Sequence, residues 1–200
     1  MTMNWDETLR IETEGMDERL ADWHHFRYEP TPYEVLERLI DSSFICEHNH
    51  VLDVGCGKGR VSFFLAQTIG CRSTGIDFDP NMIEAAQKNK ANFLKPEKVD
   101  FVCVKAEEAR MTEIDCYYFF NPFSEKILRS VMGNIMKSYH EHPRKMQLFY
   151  YYPSRDVLAY LMSLNEWIFV DEIDCEDIYD EKDDRERIVI FETMNEEKPE

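Results

Sequence analysis

Two hundred residues, 44% of them hydrophobic, are enough for one domain with its own core and lie outside the disordered range. Forty Asp and Glu against 23 Lys and Arg give a formal net charge of −17. That balance argues against long nucleic acids and anionic membranes, whose binding draws on Lys and Arg. No apolar run reaches the length of a membrane span, and the opening MTMNWDETLR lacks the basic and apolar regions of a secretion signal, so a cytoplasmic protein is expected. The six cysteines are scattered without a C-x-x-C pair. This predicts reduced thiols rather than a disulfide framework, and no metal site.

Residues 1–27 are polar and acidic with interspersed aromatics (Trp5, Trp23, Phe26) and an adjacent pair, His24 and His25. They read as an N-terminal cap or a lid. Adjacent residues do not share a helix face, so the histidines are not expected to ligate a metal together. From Tyr33 to Ile40 the apolar positions Val35, Leu36, Leu39 and Ile40 follow helical spacing, with Thr31 as expected cap and Pro32 at the first helical position.

The stretch VLDVGCGKG (51–59) is the centre of the chain. Val51 to Val54 read as the end of a buried strand. Gly55, Gly57 and Gly59 form a turn, and Val61, Phe64 and Leu65 open a helix. Strand, glycine turn and helix make the first unit of a doubly wound sheet. The turn's backbone amides, near the helix N-terminus, are expected to favour polar or anionic groups of a ligand. A second strand, CRSTGID (71–77), ends in Asp77, eighteen positions past Gly59, near where such folds hold a ribose through a carboxylate. Asp53 stands two residues before the first glycine. A carboxylate there would repel a pyrophosphate and attract an ammonium or sulfonium.

Asp79 and Pro80 start the next helix, which buries Met82, Ile83 and Ala86. VDFVCV (99–104) is a third strand, followed by Lys105, Ala106, Glu107 and Glu108. IDCYYFFNPF (114–123) is a fourth strand that runs into Asn121, Pro122 and Phe123. A helix over 125–139, a strand over 145–153, a helix from Ser154 to Leu164 and strands over 166–175 and 187–193 complete the chain. Ten of the sixteen residues from 171 to 186 are acidic, which reads as a solvated, mobile hairpin loop; a basic or polyamine partner is the alternative. The last residues, 196–200, read as a disordered tail.

VLDVGCGKGR together with GIDFDPNMIEAAQKN resembles the class I S-adenosylmethionine-dependent methyltransferases, over residues 28–195. The resemblance implies an α/β Rossmann-like fold: a seven-stranded sheet of order 3-2-1-4-5-7-6, the last strand antiparallel, with helices on both faces. It implies S-adenosyl-L-methionine as cofactor, bound by Tyr28, Thr31, Asp53, Gly55, Cys56, Gly57, Asp77, Phe78, Ala106, Glu107 and Asn121. Gly55, Gly57 and Asp53 would line its methionine part, Asp77 its ribose and Phe78 its adenine. The family's acid before the small residue after the third strand is replaced by Lys105, leaving Ala106 or Glu107 to meet the adenine. Asn121, Pro122 and Phe123 resemble the N-P-P-Y/F motif of amino-methyltransferases with one proline missing. By that resemblance they are the catalytic residues: Asn121 and Pro122 accept hydrogen bonds from an amine and the aromatic stacks on a planar group. The expected acceptor is a small molecule or a protein side chain, with nitrogen favoured. A nucleic-acid amino-methyltransferase, a non-catalytic cofactor-binding module and a nicotinamide oxidoreductase are the alternatives. A closing hairpin instead of a second βαβαβ half argues against the last.

Overall fold

The computed structural model describes residues 3–15 and 29–194. The expectations for Trp23, His24, His25, Phe26, Tyr28 and the 196–200 tail lie outside these residues.

Seven strands form one sheet: β1 (His50–Val54), β2 (Arg72–Asp77), β3 (Val99–Cys103), β4 (Cys116–Phe120), β5 (Gln147–Tyr151), β6 (Trp167–Asp174) and β7 (Arg187–Thr193). Their order is β3-β2-β1-β4-β5-β7-β6, as expected. The first five pair in parallel, and β7 runs antiparallel to both β5 and β6. The central strands are apolar nearly throughout because helices cover both faces. On one face α2 (Tyr33–Asp41), α3 (Arg60–Thr68) and α4 (Pro80–Asn92) pack around Val51, Tyr118, Phe149 and Ile190. On the other, α5 (Glu125–Glu141) and α6 (Arg155–Met162) pack around Leu52, Tyr117, Tyr150 and Phe191. Alternate residues of one strand therefore feed opposite cores, the period-two pattern of a pleated strand.

The described part of the N-terminal segment is a cap built into the first face. Helix α1 (Trp5–Leu9) buries Leu9, and Ile11 follows it into the same core. Arg60, only 7% exposed, ties the cap down. Its guanidinium donates to Thr13 Oγ1 at 2.7 Å and to the Thr31 carbonyl at 3.2 Å, lies 3.8 Å from Asp6 and covers the Tyr33 ring. Asp6 also accepts from Tyr33 and from Thr13. A buried arginine is tolerable only with such a set of partners.

Two local expectations change. Thr31 does not cap α2; its hydroxyl is spent on Tyr118 Oη at 3.1 Å, and Pro32 holds the N-cap position. The acidic stretch 171–186 is mostly solvent-exposed, as expected, but it is tied to the fold rather than loose. It contains a short turn, Glu176–Ile178, and is pinned at several points. Arg38 grips Asp177 through two bonds of 2.6 and 2.8 Å and the Asp174 carbonyl at 2.6 Å. Tyr151 donates to Glu186, Tyr152 donates to Asp183 at 2.8 Å, and Arg185 stacks on the Tyr152 ring. All six cysteines are free thiols, and Cys56, Cys71, Cys116 and Cys175 are buried.

Candidate functional site

The residues singled out on β1, β2 and β4 meet at one rim of the sheet, where the parallel strands end. Pairing of β1 with β2 sets Val54 beside Ile76, and pairing with β4 sets Val54 beside Phe119. The glycine turn, Asp77 and Asn121 therefore leave the sheet side by side.

Gly55 has φ +78°, and a Cβ there would stand 2.8 Å from Pro122 Cβ. The missing side chain is what allows the turn after β1 and the turn after β4 to touch. The turn spends its amides internally. Gly55 and Cys56 donate to the Ile76 carbonyl at 2.9 and 3.0 Å, Gly57 donates to Asp77 Oδ2 at 2.9 Å, and Gly59 donates to the Cys56 carbonyl at 2.8 Å. The expectation of free amides offered to an anionic group is thus corrected for these four residues. Closing the turn on β2 uses three of them, and the turn's own Cys56 carbonyl takes the fourth. Cys56 belongs to the scaffold: its amide is taken and its thiol is buried.

What remains for a ligand is acidic. Asp77 is half-buried and accepts from the Gly57 amide with one oxygen and from the Asp79 amide at 2.9 Å with the other. Each oxygen keeps a second lone pair for an outside donor. Burial holds its pKa above the usual carboxylate range. Asp53 is only 3% exposed. The Ser62 hydroxyl on α3 donates to it at 3.1 Å. Burial, with the Asp77 charge adding to it, lifts its pKa from 3.8 to about 7. Among the described residues neither carboxylate has a cation within salt-bridge distance. Such an acid fits a ligand that brings its own positive charge.

Asn121 takes a left-handed conformation, φ +36°, uncommon for a residue with a side chain. Its side-chain Oδ1 accepts from the Tyr150 hydroxyl at 3.3 Å. Tyr150 is fully buried and stacks on Phe119, so its hydroxyl has a fixed place. Phe123 is 5% exposed and sits edge-on against Phe119 in the α5-side core. At the rim itself stand Phe120, Tyr151 and Tyr152, with ring centroids 4.7 and 6.5 Å from Phe120. These three, and Tyr150, were not singled out in the sequence. The available signal was the run of three tyrosines ending the strand next to the Asn-Pro strand.

Beyond β3, Val104 donates to the Asp77 carbonyl at 2.9 Å, and the Cys103 thiol reaches the Phe78 carbonyl at 3.7 Å. The Ala106–Glu108 turn follows two residues on. Ala106 leans on the α5-side core, and Asn134 of α5 donates to the Glu107 carbonyl. Glu107 also lines a groove of about 480 Å³ with Asn134, Lys137 and Glu141, on the α5 flank. Among the described residues no group of three or more His, Cys, Asp and Glu could hold a metal ion, and no helix is long and apolar enough to cross a membrane.

Comparison with known proteins points the same way. Residues 51–141 match the model of a family described as a methyltransferase domain. The aklanonic acid methyltransferase DauC of Streptomyces sp. (strain C5) is 43% identical over 53 residues, 26% of this chain and 24% of that protein. A carboxy-S-adenosyl-L-methionine synthase of Shewanella woodyi is 29% identical over 80 residues, 36% of this chain and 33% of that one. The chain thus spans a third or less of the length of these curated relatives. The crystal structure of an RNA methyltransferase from Salinibacter ruber with S-adenosyl-L-homocysteine superposes with a TM-score of 0.59 at 22% identity, covering 86% of this chain and 97% of that one. The fold is the Rossmann-like methyltransferase fold, and the family match falls on the segment from β1 to the end of α5, which carries the rim described above.

Proposed function

We propose that the protein is an S-adenosyl-L-methionine-dependent methyltransferase acting on a small molecule or a protein side chain, with a nitrogen atom favoured as acceptor. The observation that carries this reading is the chemistry left over at the glycine turn. Four amides are consumed inside, and two carboxylates, Asp53 and Asp77, stay without cations among the described residues. A dinucleotide's pyrophosphate needs amides and no facing acid. A cofactor with a ribose and a positive charge needs the reverse.

Bound S-adenosyl-L-methionine supplies a methyl group on a sulfonium, which departs as a neutral thioether. The chain's part is to bind, align and desolvate. Asp53, Gly55 and Gly57 would hold the methionine end and Asp77 the ribose hydroxyls. Phe78, Ala106 and Glu107 would lie along the adenine. Thr31 supports the site from behind through Tyr118. Asn121 would accept a hydrogen bond from the acceptor with the Oδ1 lone pair that Tyr150 leaves open. Pro122, seated against Gly55, fixes that amide relative to the cofactor turn. Phe120, Tyr151 and Tyr152 would wall the acceptor side. The Salinibacter neighbour is an RNA methyltransferase, but at 22% identity the likeness carries the fold alone. The net charge of −17 and the pinned acidic loop oppose a polyanionic acceptor.

The test has two stages. S-adenosylhomocysteine at a hundred times its dissociation constant should stabilise the protein by about 2.7 kcal/mol, and NAD should not; the opposite pattern refutes the reading. A screen with methyl-labelled cofactor over amines, peptides and RNA oligomers then identifies the acceptor. Label transferred to RNA alone would replace the proposed acceptor class.

A further inference from the structure

Asp53 sits where an ionised carboxylate has little support. It is 3% exposed, and its hydrogen-bond partner among the described side chains is Ser62, itself fully buried. Among the described residues the groups facing it are acids or neutral. They are the Asp77 carboxyl at the end of β2, the Cys56 thiol in the turn, the Tyr118 phenol on β4 and, on α3, the Ser62 hydroxyl and backbone amide, whose hydrogen bonds favour the ionised form but bring no counter-charge. Arg60, the cation of α3, directs its guanidinium to Asp6, Thr13 and Thr31. An unpaired charge buried in this way is strongly disfavoured, and a group so placed neutralises instead.

We infer that Asp53 is a neutral carboxylic acid in the ligand-free protein and gives up its proton when a cationic cofactor enters the turn, so that cofactor binding releases a proton to solvent. The inference rests on the reading of this turn as the S-adenosylmethionine site. The balance is simple. The Asp53 O–H bond breaks, the proton passes to buffer, and the carboxylate pairs with the entering ammonium; nothing is oxidised or reduced. Burial and the Asp77 charge place the titration near pH 7, so the effect falls in the neutral range. Below it the cofactor must displace a proton and its apparent affinity drops. Above it the empty site carries an uncompensated charge.

The experiment is calorimetric titration of the whole protein with S-adenosylhomocysteine, which carries the ammonium, in phosphate and in Tris at several pH values. The dependence of the heat on buffer ionisation gives the protons exchanged. Proton release should approach one per ligand at pH 6 and fall toward zero above pH 8. In Asp53→Asn the release should vanish and binding should weaken, since the ammonium loses its carboxylate partner. Should that variant fail to fold, Ser62→Ala removes the side-chain hydrogen bond of the two that Ser62 gives the ionised form, and the release should persist to higher pH than in the wild type. Binding at pH 6 with no proton released, or release unchanged in Asp53→Asn, overturns the inference. Absence of any binding at any pH refutes the cofactor assignment instead.

Discussion

At the β1–β2 end of the rim, Asp53 and Asp77 have no cation beside them among the described residues. At the β5–β7 end several acids are held: Asp177 by Arg38, Asp183 by Arg185 and Tyr152, Glu186 by Tyr151. In the sequence the second end is much the more acidic. In the structure the second is a brace, with Asp177 and Asp183 paired to arginines and Glu186 to a tyrosine, and the first has no cation among the described residues. Charge density alone does not mark a binding site; charge without a partner does. On this ground the acidic loop is a weaker candidate for a basic partner than its composition indicates.

The comparison can be tested by breaking each end. The largest effect is expected for Asp77→Ala. Losing charge-assisted hydrogen bonds to a ribose, worth about 1.5–3 kcal/mol each, should weaken S-adenosylhomocysteine binding by at least about tenfold in a calorimetric titration. Gly55→Ala comes next. A side chain at φ +78° costs about 1–2 kcal/mol, and its Cβ would collide with Pro122. A domain of this size should lose several degrees in Tm, with cofactor affinity falling too.

The pH dependence of stability addresses the same end. An acid whose pKa is higher folded than unfolded stabilises fully below its unfolded value, and that contribution is lost as pH rises through the folded one. For Asp53 the window runs from 3.8 to about 7. The ligand-free protein should therefore lose stability across it, by at most about 1.4 kcal/mol per pH unit from this group. Burial raises Asp77 and Glu186 in the same direction, and burial lowers His50, which acts oppositely. The difference between wild type and Asp53→Asn in chemical denaturation at pH 5, 6 and 7 isolates Asp53, and a flat difference would contradict its burial as described.

Smaller effects belong to the braced end. Tyr151→Phe removes the donor to Glu186 and should cost about 1 kcal/mol, read as a drop in Tm, with S-adenosylhomocysteine affinity unchanged. Asp183→Asn loosens a half-exposed pair with Arg185 and should cost less than about 1 kcal/mol. Loss of cofactor affinity in either variant would show that the two ends are not separable.

Much of this was legible in the chain. The alternation of apolar runs and helical spacing located all seven strands and the helices from α2 to α6 to within a few residues, since each period reports a local face. The glycines, Asp53 and Asp77 marked the rim because their chemistry is local to one turn. The partners were not legible. That Thr31 meets Tyr118 rather than capping its own helix depends on a contact 87 residues apart, and the Arg60 set that links α1, α2 and α3 on contacts 47 and 29 residues apart.

The sequence by itself determined the order of strands and helices, the acid-flanked glycine turn and the resemblance that follows from them, because backbone preferences and periodicity act over a few residues. Only the tertiary structure decided which polar groups are already satisfied. It closed the turn with its own amides on β2 and on Cys56, seated Phe123 in the α5-side core, tied the acidic loop to arginines and tyrosines, and left Asp53 buried without a counter-charge among the described residues. Those outcomes are settled by competition among distant groups for the same hydrogen bonds and the same space.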